Sequence, residues 1–460
     1  MATLASLNPA TGAVVGTVET TAPSDIGLFV HRARAAQRRW GAIPLAERAA
    51  MLRPAAEILR REAARIGAIV TAEMGKPLPE GTGEATYCAD SFAGELDEIV
   101  DALAPQELVD ERTRTTLLHD PLGVCAAITP WNFPLLMPQQ SVLPALVAGN
   151  AVILKPSEET PLSALEWTRC VAPLLPPDTL QIVFGAGDVG DALVRAEVDL
   201  IVFTGSRATG ARIMQAAAPA FKRVILELGG KDPLVVLDDA DLDAAADFAV
   251  RNSFRNAGQV CVSTERIYVD QRVAQPFMDR VLERTARLRQ GDGTQEGVNI
   301  GPMVSARQKQ KVLEQIERAK SQGATVLAGG GDAPGNFVPP TVLAGLDHGM
   351  EIMREETFGP VACIMPFRDE EEAVRLANDT PYGLGAAVFG RDEARAESVA
   401  RRLTAGMVGI NRGCGGAQGS PWVGARQSGY GFHSGRDGHR QFAQVRVVSR
   451  ARPAGAPAGA

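Results

Sequence analysis

Val124-Cys125-Ala126-Ala127-Ile128-Thr129, a helical stretch at 143–148, then Ala151-Val152-Ile153-Leu154: this succession decides the fold. The two outer runs read as strands and the stretch between them as a helix. The texture continues outward. Leu180-Gln181-Ile182-Val183-Phe184 and Leu200-Ile201-Val202-Phe203 are further strands, with helical stretches at 161–175 and 189–196. Strands separated by helices of this length imply βαβ units and a parallel sheet, so the fold class is α/β.

Toward the N-terminus, residues 46–74 read as helix with Leu52, Leu59, Ile66 and Val70 on one face. Pro54 conflicts with a continuous helix but fits the start of one. Gly75-Lys76-Pro77 then stops the pattern. Toward the C-terminus, Ala306–Ser321 is a polar helix whose Val312, Ile316 and Ala319 are spaced to face a core, and Thr325-Val326-Leu327 follows as a strand. Two α/β regions therefore flank Cys261. Residues 451–460, rich in Ala, Gly and Pro, read as a disordered tail.

At 460 residues the chain exceeds one simple core, and two or three domains are expected. The net charge of −7, from 47 basic and 54 acidic residues, argues against nucleic acid as a partner and leaves no basic stripe for a membrane. No apolar run approaches the roughly 20 residues of a membrane helix. The start, Met1-Ala2-Thr3-Leu4-Ala5-Ser6, lacks the features of a secretory signal. Six widely spaced cysteines without C-x-x-C point to a reduced, cytoplasmic setting rather than a disulfide framework. The five histidines form no metal-ligand cluster, so no metal site is expected.

Four phrases carry chemistry. In Thr129-Pro130-Trp131-Asn132-Phe133-Pro134 the bland reading is a turn after a strand; the functional one makes the Asn132 amide a donor to a developing oxyanion. In Lys155-Pro156-Ser157-Glu158 the two charges are either a solvated turn or, at the carboxyl end of a parallel strand, ligand-binding groups. A carboxylate there accepts both hydroxyls of an adenosine ribose and repels a 2′-phosphate. Phe203-Thr204-Gly205-Ser206 places glycine where a strand meets a helix, which suits a pyrophosphate. Gly185-Ala186-Gly187-Asp188-Val189-Gly190 matches G-x-G-x-x-G literally, but no acidic residue ends a following strand at the expected distance, so it reads as a decoy. The fourth phrase, Gln259-Val260-Cys261-Val262-Ser263, holds a cysteine with no histidine nearby to act as its base. Its activation must come from backbone dipoles or a bound cation. Glu227, 34 positions earlier, supplies a carboxylate able to activate water.

In this order the phrases Pro130-Trp131-Asn132-Phe133-Pro134, Lys155-Pro156-Ser157-Glu158, Phe203-Thr204-Gly205-Ser206, Glu227-Leu228-Gly229-Gly230-Lys231, Gly258-Gln259-Val260-Cys261 and Glu355-Glu356-Thr357-Phe358-Gly359-Pro360 resemble the NAD(P)-dependent aldehyde dehydrogenase superfamily. The resemblance spans nearly the whole chain, from Asn8-Pro9 to about Arg446. It implies a Rossmann-like cofactor domain at 1–105 and 121–228, an α/β catalytic domain at 229–430, and a small β oligomerisation arm at 106–120 and 431–450. Cys261 would be the nucleophile and Glu227 the base for deacylation. Asn132 and the Cys261 amide would form the oxyanion hole. Lys155 and Glu158 would hold the adenosine ribose and Ser206 the pyrophosphate, with Thr129, Trp131, Gly205 and Leu228 beside them. Glu356 would hold the nicotinamide ribose and Phe358 pack near its ring. NAD is expected ahead of NADP, with a small aldehyde as partner and a homodimer or homotetramer as the assembly.

Glu73-Met74-Gly75-Lys76-Pro77 and Phe254-Arg255-Asn256-Ala257-Gly258-Gln259 look like the succinate-semialdehyde dehydrogenase branch. There an Arg six positions before the nucleophile helps bind a substrate carboxylate, and Arg255 stands there. A second Arg is expected eight positions after the oxyanion Asn, where this chain has Gln140; a neutral amide does not replace a bidentate cation. The Pro-Trp-Val-Gly phrase at Trp422, with Phe133 and Met137, suggests instead an apolar tunnel for an aliphatic or aromatic aldehyde. Two competing functions are a CoA-acylating semialdehyde dehydrogenase, disfavoured by Glu227, and a non-catalytic protein on the same fold, disfavoured by the intact Cys261, Asn132, Glu227 and Glu356.

Overall fold

The computed structural model describes residues 2–452. Val124–Ile128, Ala151–Lys155, Leu180–Ile182, Leu200–Gly205 and Arg223–Leu228 form the parallel sheet expected from the sequence. Its neighbours run 180–182, 151–155, 124–128, 200–205, 223–228. Side chains alternate between two covered faces. Cys125, Ala127, Val152, Leu154 and Val202 pack with Trp40, Phe92 and Trp167. Val124, Ala126, Ile153, Ile201 and Phe203 pack on the other side with Ile26 and Val30. A strand buried on both faces needs apolar residues throughout, which is why these runs show no polar alternation.

The chain adds strands outward on one side of Val124–Ile128, then returns to build the other side. Such a reversal opens a crevice at the carboxyl ends of the strands.

A second sheet has seven strands in the order Thr325–Ala328, Thr341–Ala344, Val361–Phe367, Thr264–Asp270, Asp232–Val236, Gly385–Phe389, Met407–Ile410. All its pairings are parallel except that of the Thr325–Ala328 edge. Helix Ala306–Ser321 buries Val312, Ile316 and Ala319 as its spacing predicts. The strand Gly429–Tyr430 leaves this body and pairs antiparallel with Arg223–Leu228 of the first sheet.

Three expectations are corrected in detail. The helix at 46–74 is two helices, Leu45–Leu52 and Ala55–Met74, with Pro54 as the cap of the second at φ −60. The ring imposes that φ, and the missing N–H is not needed in a first turn. The helical stretch 143–148 belongs to a longer helix, Leu136–Val147. The predicted tail begins too early: Ala451 ends the strand Ala443–Ala451, and the Arg452 amide donates to Arg112 O at 2.8 Å. Residues 453–460 lie outside the described residues.

Gln106–Val109, Thr113–Pro121 and Ala443–Ala451 make a separate three-stranded antiparallel sheet. Leu108, Val109, Val445, Val447 and Val448 are exposed on it. No helix among the described residues is long and apolar enough to cross a membrane.

Candidate active site

The crevice is a cleft of about 800 Å³. Its wall includes Thr129, Trp131, Asn132, Phe133, Lys155, Glu158, Gly205, Ser206, Glu227, Leu228, Cys261, Glu356 and Phe358, every predicted catalytic and cofactor residue together with Phe133. Strand ends explain most of this convergence. Lys155 closes Ala151–Lys155, Gly205 closes Leu200–Gly205, and Glu227 and Leu228 close Arg223–Leu228.

At one end, Lys155 Nζ lies 3.4 Å from Glu158 Oε2. Burial lowers the ammonium pKa, and Glu158 opposes that shift. In the middle, Ser206 caps the helix Arg207–Ala217, its Oγ accepting from Thr209 N at 3.3 Å. The free amides of that first turn favour an anion.

At the other end, Glu356 and Phe358 sit on a turn held from below. Glu265 Oε2 accepts from Thr357 N at 2.8 Å, and Glu265 Oε1 from Phe358 N at 2.9 Å. Lys231 Nζ neutralises Glu265 at 2.5 Å in full burial. Phe358 adopts φ +54, an uncommon conformation for a bulky residue that this clamp sustains. Its ring meets Trp131 edge-on at 5.4 Å. Glu356 Oε1 accepts from Gly230 N at 3.2 Å, and burial raises its carboxyl to about 7. A Cβ on Gly229 would stand 2.2 Å from Glu356 Oε1, so only glycine allows this approach.

Cys261 follows a strained loop in which Asn256, Ala257 and Gly258 all have positive φ. A Cβ on Gly258 would lie 2.0 Å from Gly359 O, so the residue type there is dictated by packing. The loop is locked to the Asn132 segment: Asn132 Nδ2 donates to Gln259 O at 3.1 Å, and Asn256 Nδ2 donates to Asn132 O at 3.3 Å. An amide has two hydrogens, so one on Asn132 remains for a ligand. Buried Lys76 donates to Asn132 O at 2.8 Å and to Glu84 Oε2 at 2.7 Å. Glu84 Oε1 in turn accepts the amides of Leu135 and Leu136, at 2.9 and 3.1 Å, where the helix Leu136–Val147 begins.

Glu227 is buried beside Cys261, and its carboxyl is raised by burial, an effect opposed by the Trp422 hydrogen bond and by the nearby Cys261 and Thr204. Burial, and then the nearby Glu227 charge, push the Cys261 thiol well above its ordinary pKa. The thiol is therefore protonated when the cleft holds no cation.

The substrate residues divide. Phe133 and Met137 are on the cleft wall; Gln140, Arg255 and Trp422 are not. Gln140 Oε1 is buried without a hydrogen-bond partner. Arg255 is exposed, 5.4 Å from the centroid of Phe133, and its charge acts on Glu80. Trp422 Nε1 donates to Glu227 Oε1 at 3.2 Å.

Two features escaped the sequence. The G-x-G-x-x-G phrase borders the cleft, where Gly187, Gly190 and the following Asp191 lie near Lys155. The helix was legible, but not which of its faces meets the crevice. The Lys76–Glu84 pair also went unread, because nothing local marks two charges eight residues apart as buried.

A parallel sheet with a dinucleotide-sized crevice, and a thiol, an amide and a carboxylate at its inner end, defines a class that the comparisons make explicit. The model of the aldehyde dehydrogenase family matches residues 2–448, and the chain belongs to that family. It is thus an NAD(P)-dependent enzyme that oxidises an aldehyde. Aminoaldehyde dehydrogenase 1, peroxisomal, of Malus domestica is 41% identical over 96% of this chain and 91% of its own. Betaine aldehyde dehydrogenase 1 of Oryza sativa subsp. japonica is 39% identical, with the same coverages of 96% and 91%. Among solved structures, betaine aldehyde dehydrogenase of Staphylococcus aureus in complex with NAD+ superposes with a TM-score of 0.93 at 32% identity, covering 97% of this chain and 91% of that one.

Proposed function

We propose that Cys261, Glu227 and Asn132 carry a hydrolytic oxidation of an aldehyde to its carboxylic acid. The observation that supports this most is the meeting of the buried Glu227 carboxyl with the Cys261 thiol in the same cleft as the Asn132 amide, which is bonded to the Gln259 carbonyl two residues before that thiol. The Cys261 thiolate attacks the aldehyde carbon and forms a thiohemiacetal. The remaining Asn132 N–H and the Cys261 amide stabilise its oxyanion. Glu356 and Phe358 would hold a nicotinamide, which when bound would supply a positive ring that favours the thiolate and an acceptor for the hydride whose loss from the thiohemiacetal carbon leaves a thioester. Glu227 then takes a proton from water, the water oxygen bonds to the thioester carbon, and the C–S bond breaks. This base favours hydrolysis over transfer to CoA.

Glu356, Ser206 and the Lys155–Glu158 pair would hold the nicotinamide ribose, the pyrophosphate and the adenosine ribose. Glu158 supports NAD ahead of NADP, because a carboxylate there repels a 2′-phosphate. For the substrate we favour uncharged or cationic aldehydes over succinic semialdehyde. Gln140 is neutral, and Arg255 lies over the Phe133 ring without lining the cleft itself, so the two-arginine clamp for a substrate carboxylate is incomplete. The names of the aminoaldehyde and betaine aldehyde relatives agree with this. The exposed valines of the three-stranded arm support assembly as a homodimer or homotetramer, and the six free cysteines support a reducing, cytoplasmic setting.

The test is a steady-state screen with NAD and NADP across succinic semialdehyde, aminoaldehydes, betaine aldehyde, and short aliphatic and aromatic aldehydes. Cys261→Ala is expected to abolish oxidation. Glu227→Gln is expected to slow turnover by about 10²–10⁴ while the first hydride transfer persists. Full turnover by Cys261→Ala would refute the mechanism, and a preference for NADP or for succinic semialdehyde would refute those readings.

A further inference from the structure

The sequence places Trp422 against the substrate, but its one side-chain hydrogen bond goes elsewhere. Trp422 Nε1 donates to Glu227 Oε1 at 3.2 Å. The other oxygen, Glu227 Oε2, is buried with no hydrogen-bond partner in that geometry. The indole is itself held. Its ring lies nearly parallel to His433, at 16° and 6.5 Å. The backbones of the two residues are bridged, Trp422 N donating to His433 O at 2.9 Å and His433 N to Trp422 O at 3.4 Å. Burial keeps His433 neutral, with its pKa down at about 4, so its ring places no charge behind the indole. The adjoining strand Gly429–Tyr430 pairs with the strand that bears Glu227, Gly429 standing opposite Glu227. The segment 422–433 is thus tied to the carboxylate through both backbone and side chain.

We infer that Trp422 is a positioning residue for Glu227: its indole N–H anchors one carboxylate oxygen and leaves the other directed to the water that hydrolyses the thioester. This deepens the proposed reaction and rests on Glu227 being its base. A buried carboxylate on a single-bonded tether rotates among several orientations, and general-base catalysis needs one of them. A donor on one oxygen selects that orientation and stabilises the ionised form. The groups that face this carboxyl are the Trp422 indole, the Cys261 thiol and the Thr204 hydroxyl. Only Trp422 is an obligatory donor with no protonation state of its own. In the hydrolytic step Glu227 Oε2 gains the water proton, the hydroxide oxygen bonds to the acyl carbon, and Cys261 leaves as thiolate. Nothing is oxidised or reduced in that step.

The test follows NADH formation before and during steady state in Trp422→Phe, which keeps an aromatic ring and removes the donor. The first-turnover burst is expected to keep its rate. The steady-state rate is expected to drop about tenfold, the size of one hydrogen bond to a charged group. The aldehyde KM should not rise. The ascending limb of kcat against pH should move up by about one unit, because the ionised carboxylate loses a donor. Replacing Trp422 by its benzothienyl analogue, in which sulfur takes the place of N–H, gives the same reading with the indole shape retained. In the Glu227→Gln background the Trp422 change should have no further effect, since both act on one step. An unchanged steady-state rate and pH limb would overturn the inference. So would a fall in burst rate with a raised KM, which marks a substrate wall only. If Glu227→Gln itself left thioester hydrolysis intact, the reading of Glu227 would fail instead, and the two failures are distinct.

Discussion

Deleting the charge of Lys76 should expose how much of the active site is set from beneath. Its Nζ is 2.7 Å from Glu84 Oε2 and 2.8 Å from Asn132 O, and the two side chains of the ion pair are 1% and 3% exposed. In Lys76→Met the Glu84 carboxylate loses its cation in a buried setting. Removing one partner of such a pair costs about 3–5 kcal/mol. Glu84 retains the amides of Leu135 and Leu136 on its other oxygen, which argues for the lower end. Neutralising both partners, Lys76→Met with Glu84→Gln, leaves no unpaired charge and should cost only about 1 kcal/mol. The single variant should therefore be less stable than the double, by roughly 2 kcal/mol. Catalysis should follow a different order. Asn132 O loses the same donor in both variants, so both should lose kcat by about tenfold to a hundredfold, the cost of a misplaced catalytic amide. Urea unfolding monitored by tryptophan fluorescence measures the first quantity and NADH production the second. If the single variant were as stable as the double, the pair would not be the anchor described. If kcat were untouched in both, the link from Lys76 to the oxyanion donor would be wrong.

Two further outcomes follow from buried carboxyls. Glu73 accepts from Ser6 Oγ, Leu162 N and Ser163 N, and burial raises its pKa from 4.5 to about 7. A raised acid binds its proton more tightly when folded, so its contribution is complete below pH 4.5 and is lost as pH rises through about 7. Glu73→Gln should flatten that part of the stability profile, on the order of 3 kcal/mol, and equal slopes in denaturation at successive pH values would contradict it. Glu356, raised to about 7, should accept ribose hydroxyls best when ionised. The NAD KM should then fall as pH rises through neutrality. In Glu356→Gln it should be about tenfold higher and independent of pH, and a wild-type KM flat across this range would refute the assignment.

Much of the molecule was legible before folding was considered. The alternation of strands and helices between residues 124 and 205 is a local property, because a strand buried on both faces must be apolar throughout. The order of the chemical phrases was equally readable, and the glycine at 258 reflects a backbone contact with Gly359 that no side chain permits. Cys261, Glu227 and Asn132 could be chosen as candidates from residue type and phrase, whereas Glu356 and Phe358 came from the resemblance to the family.

What remained hidden depends on which surfaces meet across long separations. Trp422 and Glu227 are 195 positions apart, and their hydrogen bond exists only because Gly429–Tyr430 pairs with Arg223–Leu228. The cleft face of the Gly187–Arg195 helix, the burial of Lys76 with Glu84, and the stacking of Arg255 over Phe133 are of the same kind. Residue type and spacing specify what a side chain can do. Whether a charge is solvated, paired or aimed into a cavity is settled by the desolvation and packing that arise when distant segments close on one another.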